Sequence, residues 1–177
     1  PTKSSAASDV YKRQGLEKAL KKYRFKHECV MASDIDKYAK ETYLNNFPST
    51  PFIGDVSGLN NENKIKKIIP KHNLLLAGFP CQPFSRAGHK KGLEDTRGTL
   101  FYYIAKILSS KKPDAFILEN VRGLKEHDEG KTLEIMLKVL RKKYFVPDPK
   151  VLNSKDFGLP QNRARIFIVG IRKDLYK

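Results

Sequence analysis

Apolar positions along the chain change period several times. Leu16, Ala19, Leu20 and Tyr23 stand at i, i+3, i+4 and i+7, which predicts a helix opening near Gly15. Residues 28–33 form a short apolar run, read as a strand, and 38–47 read as a helix ended by Pro48 and Pro51. A short lysine-rich helix over 61–69 closes at Pro70, and a buried strand follows at 74–76. Residues 79–98 read as a loop, because Pro80, Pro83, Gly88, Gly92 and Gly98 interrupt any regular element. A helix over 99–109 turns Leu100, Ile104, Ile107 and Leu108 inward, and a strand occupies 115–118. Leu133, Met136, Leu137 and Leu140 mark one more helix, and 145–152 and 166–171 read as the final strands.

Strands alternating with helices of this length predict an α/β fold with a doubly wound, mostly parallel sheet. Such sheets bind ligands beyond the carboxyl ends of their strands. Chemistry is therefore expected just after 28–33, 74–76 and 115–118. Residues 1–14 have no apolar periodicity and are rich in Ser, Ala and Lys. They are set aside as a non-native leader or a disordered arm, with the domain beginning at residue 15.

Lys and Arg total 35 against 19 Asp and Glu, a net charge of +16. A polyanion suits such a surface, although lysines spread over solvated helix faces would give the same sum. Two cysteines build no disulfide framework, and the four scattered histidines show no metal spacing. No metal site is expected. No apolar run reaches membrane-spanning length and no secretory leader opens the chain, so a reducing cytoplasm is the expected setting.

Three segments carry candidate chemistry. Cys81 sits among loop formers directly after the strand at 74–76, where backbone N–H groups can favour a thiolate nucleophile; the alternative is a small buried hydrophobe, which suits Cys29 better. Glu119 and Asn120 end the next strand, placing a carboxyl group on the same sheet edge, either as a proton carrier or as a cap or ion-pair partner. Arg163 and Arg165, at i and i+2 on extended chain, point the same way and can grip phosphate or a base carbonyl, or simply form an exposed basic strand end.

Taken together the segments resemble a known family. Pro80-Cys81-Gln82, Glu119-Asn120-Val121 and Gln161-Asn162-Arg163-Ala164-Arg165 occur in this order in the cytosine-5 DNA methyltransferases. The stretch from Lys91 to Phe101 is similar to their mobile loop and the helix after it. Asp34-Ile35-Asp36-Lys37-Tyr38-Ala39 and Gly54-Asp55-Val56 resemble their cofactor-contacting segments. The resemblance covers nearly everything from Gly15 to Ile171.

It implies a Rossmann-like fold that uses S-adenosylmethionine to methylate C5 of cytosine in double-stranded DNA, with the base flipped out of the helix. Cys81 is then the nucleophile at C6, Glu119 holds N3, Arg165 binds O2, Arg163 positions the site and Asn120 orients the loop carrying Glu119. Asp34 takes the cofactor ribose and Asp55 its adenine amino group. Ile35 and Val56 enclose the adenine, with Phe79 and Pro80 lining the pocket, although Asp34 and Asp55 could equally be turn or cap residues. Gln82, Ser85, Arg97 and Gln161 are implied DNA contacts. A monomer is expected, with a cognate restriction endonuclease as system partner.

Two departures matter. The family's glycine-rich first motif has no counterpart beyond Gly15, so the cofactor is expected to bind weakly or not at all; its first strand and C-terminal recognition region have none either, so the chain is expected to be the core fragment of a longer enzyme. The related subgroup that methylates transfer RNA shares these motifs. A non-catalytic basic nucleic-acid-binding module would account for the charge but not for Cys81, Glu119 and Arg165 together. Hydride transfer is disfavoured, since no G-x-G-x-x-G follows a predicted strand.

Overall fold

The computed structural model describes residues 5–80, 96 and 99–176. The chain forms two compact units, Pro1–Pro70 and Lys71–Lys177.

The first unit contains helix α1 (Ser5–Lys22), strand β1 (Ala32–Ser33), helix α2 (Lys37–Asn46), strand β2 (Phe52–Ile53), a 3₁₀ turn at Val56–Gly58 and helix α3 (Glu62–Ile68). α1 runs unbroken through the boundary drawn at residue 14, because residues 5–14 contain neither Gly nor Pro to stop it. Val10 is buried, and the Arg13 guanidinium donates to Tyr43 Oη at 2.8 Å and Thr50 Oγ1 at 2.7 Å. The Asp36 carboxylate caps α2 by accepting from Ala39 N at 2.8 Å. The inward face of α2 carries Ala39 and Tyr43, the latter tilted against Phe47 and Phe52. β1 covers only the end of the run at 28–33; it pairs in parallel with β2, Ala32 opposite Phe52 and Ser33 opposite Ile53. β2 is too short to leave a periodic trace in the sequence.

The second unit is built on strand β3 (Leu74–Gly78), helix α4 (Leu100–Lys111) and strand β4 (Ala115–Val121), with β3 and β4 parallel as a helical crossover requires. Helix α5 (Lys131–Leu140) follows, then strands β5 (Tyr144–Phe145), β6 (Lys150–Asn153) and β7 (Ala164–Arg172). β7 lies antiparallel beside β4, and β5 and β6 both pair with the other edge of β7. The strand expected over 145–152 is thus two strands: Pro147 and Pro149 stand between them and offer no N–H to a ladder.

Burial alternates along the ladder. Phe116, Leu118 and Asn120 of β4 face inward opposite Gly170, Ile168 and Ile166 of β7. Phe116, Leu118, Ile166 and Ile168 pack with Phe101, Ile104, Ala105 and Leu108 of α4 and with Met136 and Leu140 of α5. A Cβ at Gly170 would fall 2.3 Å from Phe116 Cε1, so only glycine leaves room for that ring. The same ring meets Tyr144 edge-on, with centroids 5.0 Å apart, and the Tyr144 hydroxyl donates to Pro113 O at 3.1 Å.

The architecture is the expected Rossmann-like α/β type. The parallel pairs are those with helices between their strands; the antiparallel placement of β7 is invisible to periodicity, which reports faces and not direction. Among the described residues no helix is long and apolar enough to cross a membrane.

Candidate active site

In the first unit the chain leaves β1 and β2 at adjacent carboxyl ends. Ser33 Oγ donates to Gly54 O at 2.6 Å and ties the two exits together. Asp34 follows β1 directly, and its Oδ1 accepts from Asp36 N at 2.8 Å. Asp55 caps the 3₁₀ turn, accepting from Ser57 N at 2.7 Å and from the Ser57 hydroxyl. Those bonds, the hydroxyl first, hold the Asp55 carboxyl below the ordinary carboxylate range, so it is ionised at neutral pH. Both aspartates therefore have turn-forming work to do. Beside them, Ile35 is 77% exposed and Val56 half-buried, an apolar pair flanking two carboxylates at one strand edge. A hollow of about 340 Å³ in this unit, lined by Arg13, Glu17, His27, Cys29 and Thr50 among others, lies instead toward the amino ends of the two strands.

In the second unit the register places Gly78 of β3 opposite Glu119 of β4, and Phe79 N donates to Glu119 O at 3.4 Å. Phe79 is buried against Phe101, with centroids 5.9 Å apart, while Pro80 is exposed. On the other side of β4, Glu119 pairs with Phe167 and Val121 with Arg165, so Glu119 and Arg165 project from the same face of the ladder. Arg165 Nε lies 2.9 Å from Glu119 Oε1, and the two side chains are only 22% and 12% exposed. Arg165 Nη1 also donates to Ala164 O at 2.8 Å, which fixes the fork.

Asn120 points to the opposite, packed face. Its Oδ1 accepts from Val121 N at 2.7 Å, while its Nδ2 is buried with no hydrogen-bond partner among the described residues.

Arg163 stands one residue before β7, half-buried, and Gln161 is exposed. Both lie on a connection whose base is held by Asn153 and Ser154, residues that the sequence reading did not single out. Asn153 Oδ1 accepts from Arg163 N at 3.0 Å, Asn153 Nδ2 donates to Asn162 Oδ1 at 2.7 Å, and Ser154 Oγ donates to Gln161 O at 2.5 Å. An Asn-Ser pair ahead of a turn is the available signal, since both side chains bond readily to nearby backbone. Cys81, Gln82, Ser85 and Arg97 lie outside the described residues.

Of the expected residues, then, the second unit joins Glu119 to Arg165 and brings the exit of β3 alongside, with Asn120 on the opposite face of β4; in the first unit Asp34 and Ile35 follow β1, and Asp55 and Val56 follow β2, at neighbouring strand ends. Known proteins resemble this chain in sequence and fold. The chain is 50% identical over 149 residues to the type II methyltransferase M.HpaII of Haemophilus parainfluenzae, covering 82% of this chain and 40% of that protein. It is 49% identical over 158 residues to the type II methyltransferase M.NlaX of Neisseria lactamica, covering 89% and 48%. Among solved structures, a mutant of Spodoptera frugiperda DNMT2 superposes with a TM-score of 0.68 at 27% identity over 92% of this chain and 48% of that one. The S. pombe Dnmt2 methyltransferase gives 0.65 at 25% identity, over 89% and 46%. The chain spans less than half the length of these relatives. The fold is the Rossmann-like one of S-adenosylmethionine-dependent methyltransferases. With residues 12–177 matching the family described as C-5 cytosine-specific DNA methylase, the chain belongs to that family.

Proposed function

We propose that this chain is the catalytic part of an enzyme that transfers a methyl group from S-adenosylmethionine to C5 of a cytosine flipped out of double-stranded DNA, through a covalent Cys81–C6 adduct. The observation that carries this reading is the Glu119–Arg165 pair, a carboxyl group and a guanidinium held together beside the strand end that leads to Cys81.

The first unit's residues fit the cofactor. Among the described residues Asp34 uses only Oδ1 in its turn, leaving acceptor capacity for ribose hydroxyls; ionised Asp55 can accept from an adenine amino group, and exposed Ile35 with Val56 offers an apolar surface to the ring. When bound, S-adenosylmethionine supplies an electrophilic methyl group on a sulfonium.

Cytosine C5 is too weak a nucleophile to take that methyl unaided. The Cys81 thiolate forms a bond to C6, and the C5–C6 π electrons become available at C5 as an enamine. Glu119 holds the proton at N3 that this electron flow requires, and Arg165 donates to O2, where negative charge gathers. After C5 has gained the methyl, loss of its proton to a base restores the C5–C6 double bond and expels the Cys81 sulfur. Arg163 and Asn120 position this apparatus, and Gln82, Ser85, Arg97 and Gln161 touch the DNA. Flipping costs a few kcal/mol, recovered through contacts with the extruded base. A monomer in the cytoplasm, acting beside a cognate restriction endonuclease, is the setting we infer.

DNA is preferred over transfer RNA because the family matched by residues 12–177 is described as C-5 cytosine-specific DNA methylase. The test uses this sequence in its full-length context with duplex DNA containing 5-fluorocytosine and, separately, transfer RNA. Covalent capture on DNA that vanishes in Cys81→Ala is the expected outcome. Capture that survives that change, or occurs only on transfer RNA, would overturn the reading.

A further inference from the structure

We infer that Asn153 is a positioning residue for the reaction, setting the backbone from which Arg163 and Arg165 reach the base; this rests on the methyl-transfer reading above. β6 ends at Asn153, opposite Ala164, the first residue of β7. Between them the chain makes a connection of exposed and half-buried residues, 154–163, that must return in register for Arg165 to meet Glu119. Backbone closure of that connection is thin at its base: Ser154 N to Arg163 O is 3.3 Å. Ser154 Oγ adds a bond to Gln161 O at 2.5 Å, and the Asn153 amide supplies three more. Its Oδ1 accepts from Arg163 N at 3.0 Å and from Lys155 N at 3.3 Å, and its Nδ2 donates to Asn162 Oδ1 at 2.7 Å. One side chain thus holds the outgoing turn, the returning strand and the residue before Arg163.

The chemistry of this clasp selects asparagine. Two backbone N–H groups converge on one oxygen, so an acceptor is needed there, and a donor is needed toward Asn162. Aspartate keeps the first function and loses the second; alanine loses both. Because Arg165 is two residues beyond Arg163 on the same strand, release of the Arg163 N–H frees the start of β7 and lets the guanidinium drift from Glu119. Displacement of about 1 Å at a catalytic group can cost about 10²-fold in rate.

The test compares wild type, Asn153→Ala, Asn153→Asp and Asn162→Ala in the full-length context, following kcat, KM for DNA and the rate of covalent trapping on 5-fluorocytosine duplex. We expect Asn153→Ala to lower kcat and the trapping rate by about 10²-fold with KM changed far less, and Asn153→Asp and Asn162→Ala to retain most of both. In parallel, amide exchange at Arg163 should be slow in wild type and in Asn153→Asp and fast in Asn153→Ala; if the alanine variant does not fold, Asn153→Ser, whose hydroxyl is too short to span the gap, takes its place. Trapping by a folded Asn153→Ala protein at the wild-type rate, or an aspartate variant as impaired as the alanine one, overturns the role given to Asn153. Failure of wild type itself to be trapped overturns instead the methyl-transfer reading on which it rests.

Discussion

Arg165 of β7 and Glu119 of β4 meet at 2.9 Å although they are not direct partners: Arg165 stands opposite Val121, and Glu119 opposite Phe167. The contact is a diagonal across one face of an antiparallel ladder, a distance that only a long side chain covers. Arg165→Ala leaves the mostly buried Glu119 without this cation and is expected to cost about 1–3 kcal/mol in urea unfolding. Methyl transfer in the full-length context should fall by about 10²- to 10³-fold. Arg165→Lys should recover stability more than rate, because an ammonium has no planar fork. Full single-turnover activity in Arg165→Ala would remove the pair from the mechanism.

Gly170→Ala should destabilise the second unit by about 1–3 kcal/mol through overpacking, since the added carbon meets the Phe116 ring at 2.3 Å. Chemical denaturation measures the loss. Combining the change with Phe116→Leu, which vacates the space, should cost less than the sum of the two single variants; strict additivity would mean that the ring is not what the new methyl strikes.

Burial pushes the Tyr144 phenol up to about 12. An unfolded chain ionises this group near pH ~10, while the folded chain keeps it neutral. Stability is accordingly complete below about pH 10 and falls as pH rises from about 10 toward 12, because the unfolded state binds fewer protons there. Tyr144→Phe should flatten that decline in denaturation curves recorded across the interval. Tyr43, also pushed up to about 12 mainly by burial, keeps a residual slope. At neutral pH the same variant should cost about 1 kcal/mol, the Pro113 carbonyl having lost its donor. An unchanged alkaline slope would contradict the assignment.

Asp34→Asn retains an oxygen able to accept from Asp36 N, so the turn after β1 should persist. What it loses is the charge and the second carboxylate oxygen. Affinity for S-adenosylmethionine, read by calorimetry in the full-length context, is expected to drop about tenfold or more while the far-ultraviolet dichroism stays the same. Equal affinity in the two proteins would return Asp34 to a purely structural part.

Much of this was legible in the chain itself. The helical periods at Leu100–Leu108 and Leu133–Leu140 and the apolar runs at Leu74 and Ala115 mark elements whose burial pattern is regular enough to leave a trace. β2 escaped because two residues carry no period, and β5 and β6 were fused because apolar content continues across Pro147 and Pro149 while hydrogen bonding does not. The helix through Arg13 was missed because its first residues lack the apolar spacing that signals a packed face. At the site, Glu119 and Arg165 were recognisable as reactive types, yet their meeting depends on the direction and register of β7, which are properties of pairing between distant segments. Asn153 was overlooked for a related reason: a polar residue beside a turn is common, and only the returning strand shows what it grips.

The packed face of the β4–β7 ladder has one remaining consequence. Sliding β7 by a single position would exchange its two faces, burying Arg165 where Ile166 belongs and pressing a side chain onto the Phe116 ring. Phe116 finds room only at residue 170, and that key in its slot indexes the whole strand, so that the guanidinium five residues upstream arrives within reach of its carboxylate. Alignment of the proposed catalytic pair is thereby inherited from a purely steric fit at the far end of the sheet, and a substitution in the greasy interior there is expected to disturb that pair without touching a polar atom.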